Sequence, residues 1–389
     1  MPNTTVKYFS SDMPGAPVLS GLAGSMIAVL DACLINGFGL VSVTSAVVAG
    51  NVATLNVGAG HSFTVGTVAL VAGVTSPAEL NGEARVTAIT ANSISFVTTG
   101  ISNQTATGTI TAKLAGAGWA KAYTATNTAA YKPNDVQSTG CYLRLDDAGT
   151  IHTRAIGYET MADINTGSGP FPTNAQVTGG YWWQKSGTTD ATARAWLVFA
   201  DGRMFYLVRY PSTSYPTVPE ITFFGDILPT KTSGDAYACA ITGNPTALNN
   251  SYQANSAQLY YSITSQADIH FPRSYTGLGS SIPMVRTFPL MNGDTGNYSG
   301  NVSAAMSFPN GADGGVYAVN FALCEFGSKS YRGNLPGVYA IPQANAFNAL
   351  STKDIVIGQA DLAGRTLRAV VSTGSINGVV LFDTTGPWR

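Results

Sequence analysis

The sequence is poor in charge. Lysine, arginine, aspartate and glutamate make up 11% of the 389 residues, against roughly 25% in an average soluble domain. The 20 basic residues are scattered singly, so there is no basic stripe that could displace counterions from a nucleic acid backbone. We therefore expect no nucleic acid partner. With 45% apolar residues and a formal net charge of −1, the chain also lacks the low hydrophobicity and high charge of disordered proteins.

Cysteine is also scarce. The four cysteines are widely spaced and lie in apolar surroundings. Cysteine in such surroundings behaves as a small hydrophobic residue, so we expect buried free thiols rather than disulfide bonds. Free thiols fit assembly in a reducing cytoplasm. The four are Cys33, Cys141, Cys239 and Cys324.

Histidine occurs only three times, at His61, His152 and His270. None of them has a second histidine, a cysteine or a carboxylate at metal-ligand spacing. The sequence also lacks a Gly-x-Ser-x-Gly elbow, a phosphate-binding loop and a Cys-x-x-Cys pair. It therefore predicts no metal, no cofactor and no catalytic residue.

Paired carboxylates are the remaining sign of catalysis, because glycan cleavage needs two of them about 5 to 10 Å apart. Asp146 and Asp147 occupy a predicted hairpin turn, where aspartate is favoured by its backbone hydrogen bonds. Asp313 lies in a similar glycine-rich segment. Glu159 and Asp163 could share a cleft, as could any two acids four residues apart. We expect a protein that is not an enzyme, with glycan cleavage as an alternative that an assay of turnover would test.

No apolar run is long enough to cross a membrane. The best candidate, residues 14–36, is interrupted by Asp31, and its apolar residues recur every three or four positions. This spacing predicts an amphipathic helix that ends at Asn36-Gly37. Residues 1–7 lack the features of a secretory signal, so we expect export only by cell lysis.

Short alternating strands separated by turn residues are abundant from residue 45 onwards. Between residues 45 and 115, five or six such strands predict a small β domain of the immunoglobulin-like or barrel-like kind, with turns at Asn81-Gly82 and Asn92-Ser93. The flanking segments, residues 34–39 and 117–119, would form one connection if this domain were removed. We therefore expect residues 45–115 to be an inserted domain.

The rest of the chain predicts a mainly β, discontinuous main domain, an antiparallel β-sandwich or barrel. Residues 1–44 supply an N-terminal arm and the single helix, and residues 116–389 supply the strands. Two hairpins have the clearest pattern. One covers residues 141–154, and the other turns at Asp201-Gly202.

Two kinds of contact surface are predicted. The long connections over residues 162–180 and 272–312 are candidates for subunit interfaces, since long loops often contact partners. The cluster Tyr181, Trp182 and Trp183 follows a Gly-Gly turn, where flat rings can stack on sugars or anchor a partner protein. The same rings could fill a β core, and no alternation around them distinguishes the two.

Two sets of motifs carry a resemblance to known proteins. The string GHSFTVGTVALVAGVTSPAELNGEARV, within residues 45–115, resembles small β modules of phage tail, baseplate and fibre proteins in its order of strands and turns. The main domain resembles phage virion proteins through Gly118-Trp119, Tyr142–Thr150, Gly157–Gly167 and Asp383–Trp388. The resemblance implies a structural protein of a tailed bacteriophage virion, assembled in the bacterial cytoplasm, and implies no catalytic residues.

Several positions in such a particle fit the sequence. The leading expectation is a tail-tip, baseplate or neck component that binds other virion proteins as a homo-oligomer, a trimer or hexamer. One alternative is a capsid decoration or head-fibre protein. Another is a receptor-binding adhesin that holds a host-surface glycan through residues 45–115 or through Tyr181, Trp182 and Trp183.

Overall fold

A computed structural model describes residues 2–248, 261–263, 268–287, 295–299, 306–374 and 377–389. Within these ranges the fold is mainly β, with one short helix and three antiparallel sheets of eight, six and fifteen strands. This confirms the predicted fold class. Among the described residues, no helix has the length and apolar character needed to cross a membrane.

The helix begins later than predicted. After strand β1 (Lys7–Ser10), the chain stays irregular until α1 (Ser25–Leu30), which continues as a π-helical turn over Asp31–Asn36. Gly24, with a φ of 80°, breaks the helical path just before Ser25. Gly21 packs so closely on another loop that a Cβ would lie 1.9 Å from the Thr188 carbonyl oxygen. The helix predicted over residues 14–36 is therefore confirmed only in its second half.

The eight-stranded sheet is built from the segment that the sequence predicted as an inserted domain. Its strands β2 to β9 are Val41–Ser42, Ser45–Ala49, Val52–Asn56, Val68–Ser76, Gly82–Ile89, Ser93–Val97, Gln104–Thr105 and Thr107–Leu114. β3, β4 and β7 alternate between buried and more exposed residues, as expected of strands with one face on a core. The β5–β6 and β6–β7 pairs enclose the predicted turns at Asn81-Gly82 and Asn92-Ser93.

The six-stranded sheet follows in sequence. Its strands β10 to β15 are Trp119–Ala125, Thr128–Pro133, Tyr142–Asp146, His152–Met161, Gly167–Phe171 and Tyr181–Gln184. β12 and β13 pair as the hairpin predicted over residues 141–154. β14 lies inside the connection of residues 162–180, which the sequence had predicted to be a loop. The sequence did not predict β14 because its composition is Gly-Ser-Gly-Pro-Phe, and glycine and proline disfavour strands.

The fifteen-stranded sheet contains β1 and all strands after β15. Strands β16 to β29 are Trp196–Ala200, Met204–Arg209, Glu220–Asp226, Leu228–Pro229, Cys239–Thr242, Tyr261–Ile263, Ile269–Phe271, Ile282–Thr287, Thr295–Tyr298, Val319–Glu325, Tyr331–Ala340, Ile355–Ile357, Thr366–Ser372 and Gly378–Asp383. β16 and β17 form the hairpin predicted around Asp201-Gly202. β23 and β24 lie within the predicted long connection of residues 272–312, part of which is outside the described residues.

One hydrophobic core runs through the helix and all three sheets. It joins Met26 of α1, Phe96 of the eight-stranded sheet, Phe171 of the six-stranded sheet and Phe224 of the fifteen-stranded sheet. The strands β16, β17 and β18 are buried at every position. Such burial on both faces explains why β16 and most of β17 are continuous apolar runs rather than alternating ones.

Arg85 of β6 joins the eight-stranded sheet to two distant segments of the chain. Arg85 is 8% exposed, and its guanidinium donates five hydrogen bonds to backbone carbonyls. The acceptors, at 2.6 to 3.0 Å, are the carbonyl oxygens of Asn3, Val6, Gly66, Thr384 and Thr385. An ion pair between Lys7 and Glu83 lies in the same region. The eight-stranded sheet is thus held by polar contacts as well as by the shared core.

Candidate binding surfaces

The predicted aromatic cluster is mostly internal. Tyr181 and Trp183 are fully buried. The Tyr181 hydroxyl is hydrogen-bonded to His270, and Trp183 Nε1 donates to the Thr242 carbonyl oxygen at 2.8 Å. Tyr181 and Trp183 are therefore core residues in this structure and cannot reach a partner or a sugar.

Trp182 is the exception, because strand alternation turns its ring away from the core. The Arg154 guanidinium lies 3.6 Å from the centre of the Trp182 ring, and the His152 ring meets it edge-on at 5.3 Å. Arg154 is fixed there by donating to the backbone carbonyls of the Gly179-Gly180 turn. One face of Trp182 is thus covered by a cation–π contact, so a sugar cannot stack on that face.

Each candidate catalytic acid is bound to a structural partner of its own. Glu159 receives a two-pronged ion pair from Arg273, at 2.8 and 2.9 Å. Asp163 is exposed and accepts the backbone N–H groups of Asn165 and Thr166, which lower its pKa. Asp313 likewise accepts bonds within its own turn. In each case the carboxylate has a structural partner.

Asp147 differs from its neighbour Asp146, although both were predicted to lie in a turn. Asp147 is fully buried and forms an ion pair with Lys185, also fully buried. Its Oδ2 accepts the N–H groups of Met26 at 2.9 Å and Ile27 at 3.3 Å, at the start of α1. Burial raises the pKa of Asp147, and Lys185 opposes this shift. The local sequence carries no sign of this role.

The thiols and histidines form no reactive group in the part of the chain that the structure describes. All four cysteines are free; Cys33, Cys141 and Cys239 are buried and Cys324 is half-buried. Burial raises the pKa of Cys33 and of Cys239, which makes both poor nucleophiles. No cluster of three or more histidine, cysteine or acidic side chains is placed among these residues to hold a metal ion.

Many charged side chains are paired inside the protein rather than displayed on it. Arg286 pairs with Asp268 at 2.9 Å, and Arg332 pairs with both Asp235 at 2.6 Å and Glu325 at 2.9 Å. These side chains are almost completely buried. The few charges of the sequence are therefore largely used to join elements, which leaves the surface more neutral still.

Four of the exposed large apolar side chains lie on the loop of residues 272–281 and around the β25–β26 turn. We call Tyr275, Leu278, Phe326 and Tyr331 the apolar patch; Leu278 is 72% exposed. The loop of residues 272–281 and the β25–β26 turn are held together there, because the Tyr275 N–H donates to the Glu325 carboxylate at 2.6 Å. Exposed groups of large apolar residues typically mark contact sites.

Comparisons with known proteins do not assign the chain to a protein family. No protein family model matches it, and no curated protein matches it. The function is therefore argued from the residues and the geometry.

Proposed function

We propose that the protein is a structural component of a tailed bacteriophage virion and acts by oligomeric assembly, at the tail tip, baseplate or neck. The observation that carries the assembly role is the apolar patch on a surface that is otherwise nearly neutral. Burying such a patch against a neighbour gains hydrophobic free energy without the dependence on salt that charged interfaces have.

The position of the patch agrees with the predicted interface loops. Tyr275 and Leu278 belong to the connection of residues 272–312, which the sequence singled out for its length. In a ring of identical subunits, each subunit would bury this patch against a different surface of its neighbour. A trimer or hexamer is the assembly that we propose.

The virion assignment is supported by the sequence resemblance of residues 45–115 and of the main-domain motifs. Electron cryomicroscopy of the phage particle, with the chain built into the map, tests it directly. We expect a ring of density at the tail end, with the apolar patch at the subunit contacts. Density on the head would replace the tail position by the decoration alternative, and absence from the particle would contradict a virion role.

A further inference from the structure

A cavity of about 430 Å³ lies beside β16 and the segment that precedes β27. Its apolar lining includes Trp196, Leu197 and Val371. Its polar lining consists mainly of serine and threonine side chains. This volume is in the range of cavities that hold small molecules, which usually combine an apolar lining with a few polar groups.

Some of the lining hydroxyls are occupied within the protein. Thr352 Oγ1 accepts the Val371 N–H at 3.0 Å and contacts the Tyr210 hydroxyl at 3.2 Å. Thr217 Oγ1 donates to the Thr373 carbonyl oxygen at 2.6 Å. These contacts tie the segments that line the cavity to one another.

Other lining hydroxyls have no partner in the described part of the protein. The side-chain hydroxyls of Ser351 and Thr373 make no hydrogen bond to any residue that the structure describes. Ser11 Oγ accepts the Trp196 N–H at 3.2 Å and retains its own proton for donation. A hydroxyl both donates and accepts, so these three groups match a ligand that itself presents hydroxyls.

The cavity has little net charge. Lys353 is the one charged residue in its lining, and its ammonium is paired with Asp12 at 2.7 Å. Lys353 also lines a second cavity of about 190 Å³, which Asp12 lines as well. The two cavities therefore meet at Lys353. Both partners are partly exposed. The Lys353 ammonium can therefore donate a hydrogen bond to a bound molecule that spans them, and the Asp12 carboxylate can accept one.

We propose that the larger cavity binds a neutral sugar, with Ser11, Ser351 and Thr373 bonding its hydroxyls and the apolar lining packing on its C–H faces. A polyhydroxylated ring can bond to the hydroxyls and pack on the apolar lining at once, whereas an apolar ligand would use only the apolar lining. This site is separate from the apolar patch, and its ligand adds to the proposed assembly role. It is also separate from Trp182, the half-buried ring of the predicted aromatic cluster.

Saturation-transfer NMR on the full chain tests the proposal, with glucose, galactose and N-acetylglucosamine as probes and glucuronate as an anionic comparison. We expect saturation of at least one neutral sugar. Thr373→Val and Ser351→Ala should each weaken its binding by about threefold to tenfold, the effect of losing one hydrogen bond. Thr54→Val, in the exposed face of β4, is the matched control and should leave binding unchanged.

Three results would overturn the proposal. One is the absence of saturation with all three neutral sugars. Another is binding that neither cavity variant weakens, which would place the sugar elsewhere. The third is tighter binding of glucuronate than of glucose, since the cavity would then select for charge. Circular dichroism of each variant establishes that it is folded, so that a loss of binding reports on the cavity.

Discussion

Asp147 makes more contacts than a residue beside a hairpin turn requires. Its carboxylate caps α1, accepts the Thr153 hydroxyl at 2.6 Å and pairs with Lys185. Lys185 in turn donates to the Leu22 carbonyl oxygen at 2.7 Å, just before the helix. One buried ion pair therefore joins the helix to the six-stranded sheet.

Removing this carboxylate should destabilise the protein strongly. Asp147→Ala leaves the Lys185 ammonium buried without a counter-charge and uncaps α1, so we expect a loss of about 3 to 5 kcal/mol in the free energy of unfolding. Urea denaturation followed by circular dichroism measures the loss. Asp146→Ala is the control, because Asp146 is only half-buried, and it should cost far less. Equal losses in the two variants would show that the ion pair is unimportant.

The sequence could not have distinguished these two aspartates. They are adjacent, chemically identical and flanked by the same turn residues. What separates them is Lys185, 38 positions later, and helix α1, about 120 positions earlier. For the same reason the aromatic cluster was ambiguous, since burial of Tyr181 and Trp183 depends on the sheet that covers β15.

Glu220 and Arg209 form a cross-strand pair between β17 and β18. The distance from Arg209 Nη2 to Glu220 Oε2 is 3.6 Å, too long for a hydrogen bond. Neither oxygen of Glu220 has a hydrogen-bond partner in the described part of the chain. Burial raises the pKa of Glu220 from its ordinary 4.5 to about 7, although Arg209 opposes the shift.

This raised pKa predicts a pH-dependent stability. Between pH 4.5 and 7 the folded protein holds a proton that the unfolded chain releases, so the Glu220 contribution is favourable at low pH and is lost as pH rises. Glu220→Gln removes the ionisation. We expect the stability of this variant, relative to the wild type, to increase by about 3 kcal/mol from pH 4.5 to 8.

Chemical denaturation of both proteins at each pH measures this difference. Asp268 and His270 also titrate in the acidic range. Their effects largely cancel when variant and wild type are compared at the same pH. Glu79→Gln, at an exposed position, is the control for replacing a glutamate by glutamine. A constant difference for Glu220→Gln would mean that Glu220 ionises normally.

At the scale of elements, Arg85 is the main polar contact between the eight-stranded sheet and the rest of the chain. Arg85→Gln removes most of its five hydrogen bonds. We therefore expect faster amide hydrogen exchange in residues 2–10 and 378–389, while β17 stays protected. Exchange followed by mass spectrometry measures this. Arg144→Gln is the control, because Arg144 Nε donates to a single carbonyl, that of Ile164. Unchanged exchange in both segments would show that the apolar core alone holds them.

The types of most elements were predictable, and their boundaries were less so. Alternation and turn residues located β4 and β7 because those strands bury one face. β14 was missed because pairing with β13 overrides its poor propensity. The helix was extended too far because apolar spacing continues before Gly24, where the backbone is held by tertiary contacts.

At the scale of the whole molecule, the apolar patch should govern association. Leu278→Asp places a charge in the proposed subunit contact, so we expect it to shift the wild-type oligomer towards monomer. Size-exclusion chromatography with light scattering measures the mass. Val136→Asp is the matched control, since Val136 is 98% exposed outside the patch, and it should leave the oligomer intact. A monomeric wild type, or an oligomer that survives Leu278→Asp, would contradict the role of the patch.

The arrangement of strands into sheets was beyond prediction. Propensity indicates that a strand forms, but pairing depends on contacts between distant residues. β1 lies next to β16, and the order of the large sheet passes from β18 through β20 and β22 before it reaches the last strands. The cavities arise from this order, and no local pattern located them. Of the patch, the sequence singled out only the connection that carries Tyr275 and Leu278.

The five hydrogen bonds of Arg85 also limit how early during synthesis the eight-stranded sheet can dock onto the rest of the chain. Two of its acceptors, Thr384 and Thr385, are about 300 positions further along the chain. At about 5 to 20 residues per second, a ribosome needs about 15 to 60 seconds to make that stretch. Throughout that interval the nascent eight-stranded sheet carries a guanidinium with two of its carbonyl partners not yet translated, so its final docking must follow the synthesis of Thr384 and Thr385.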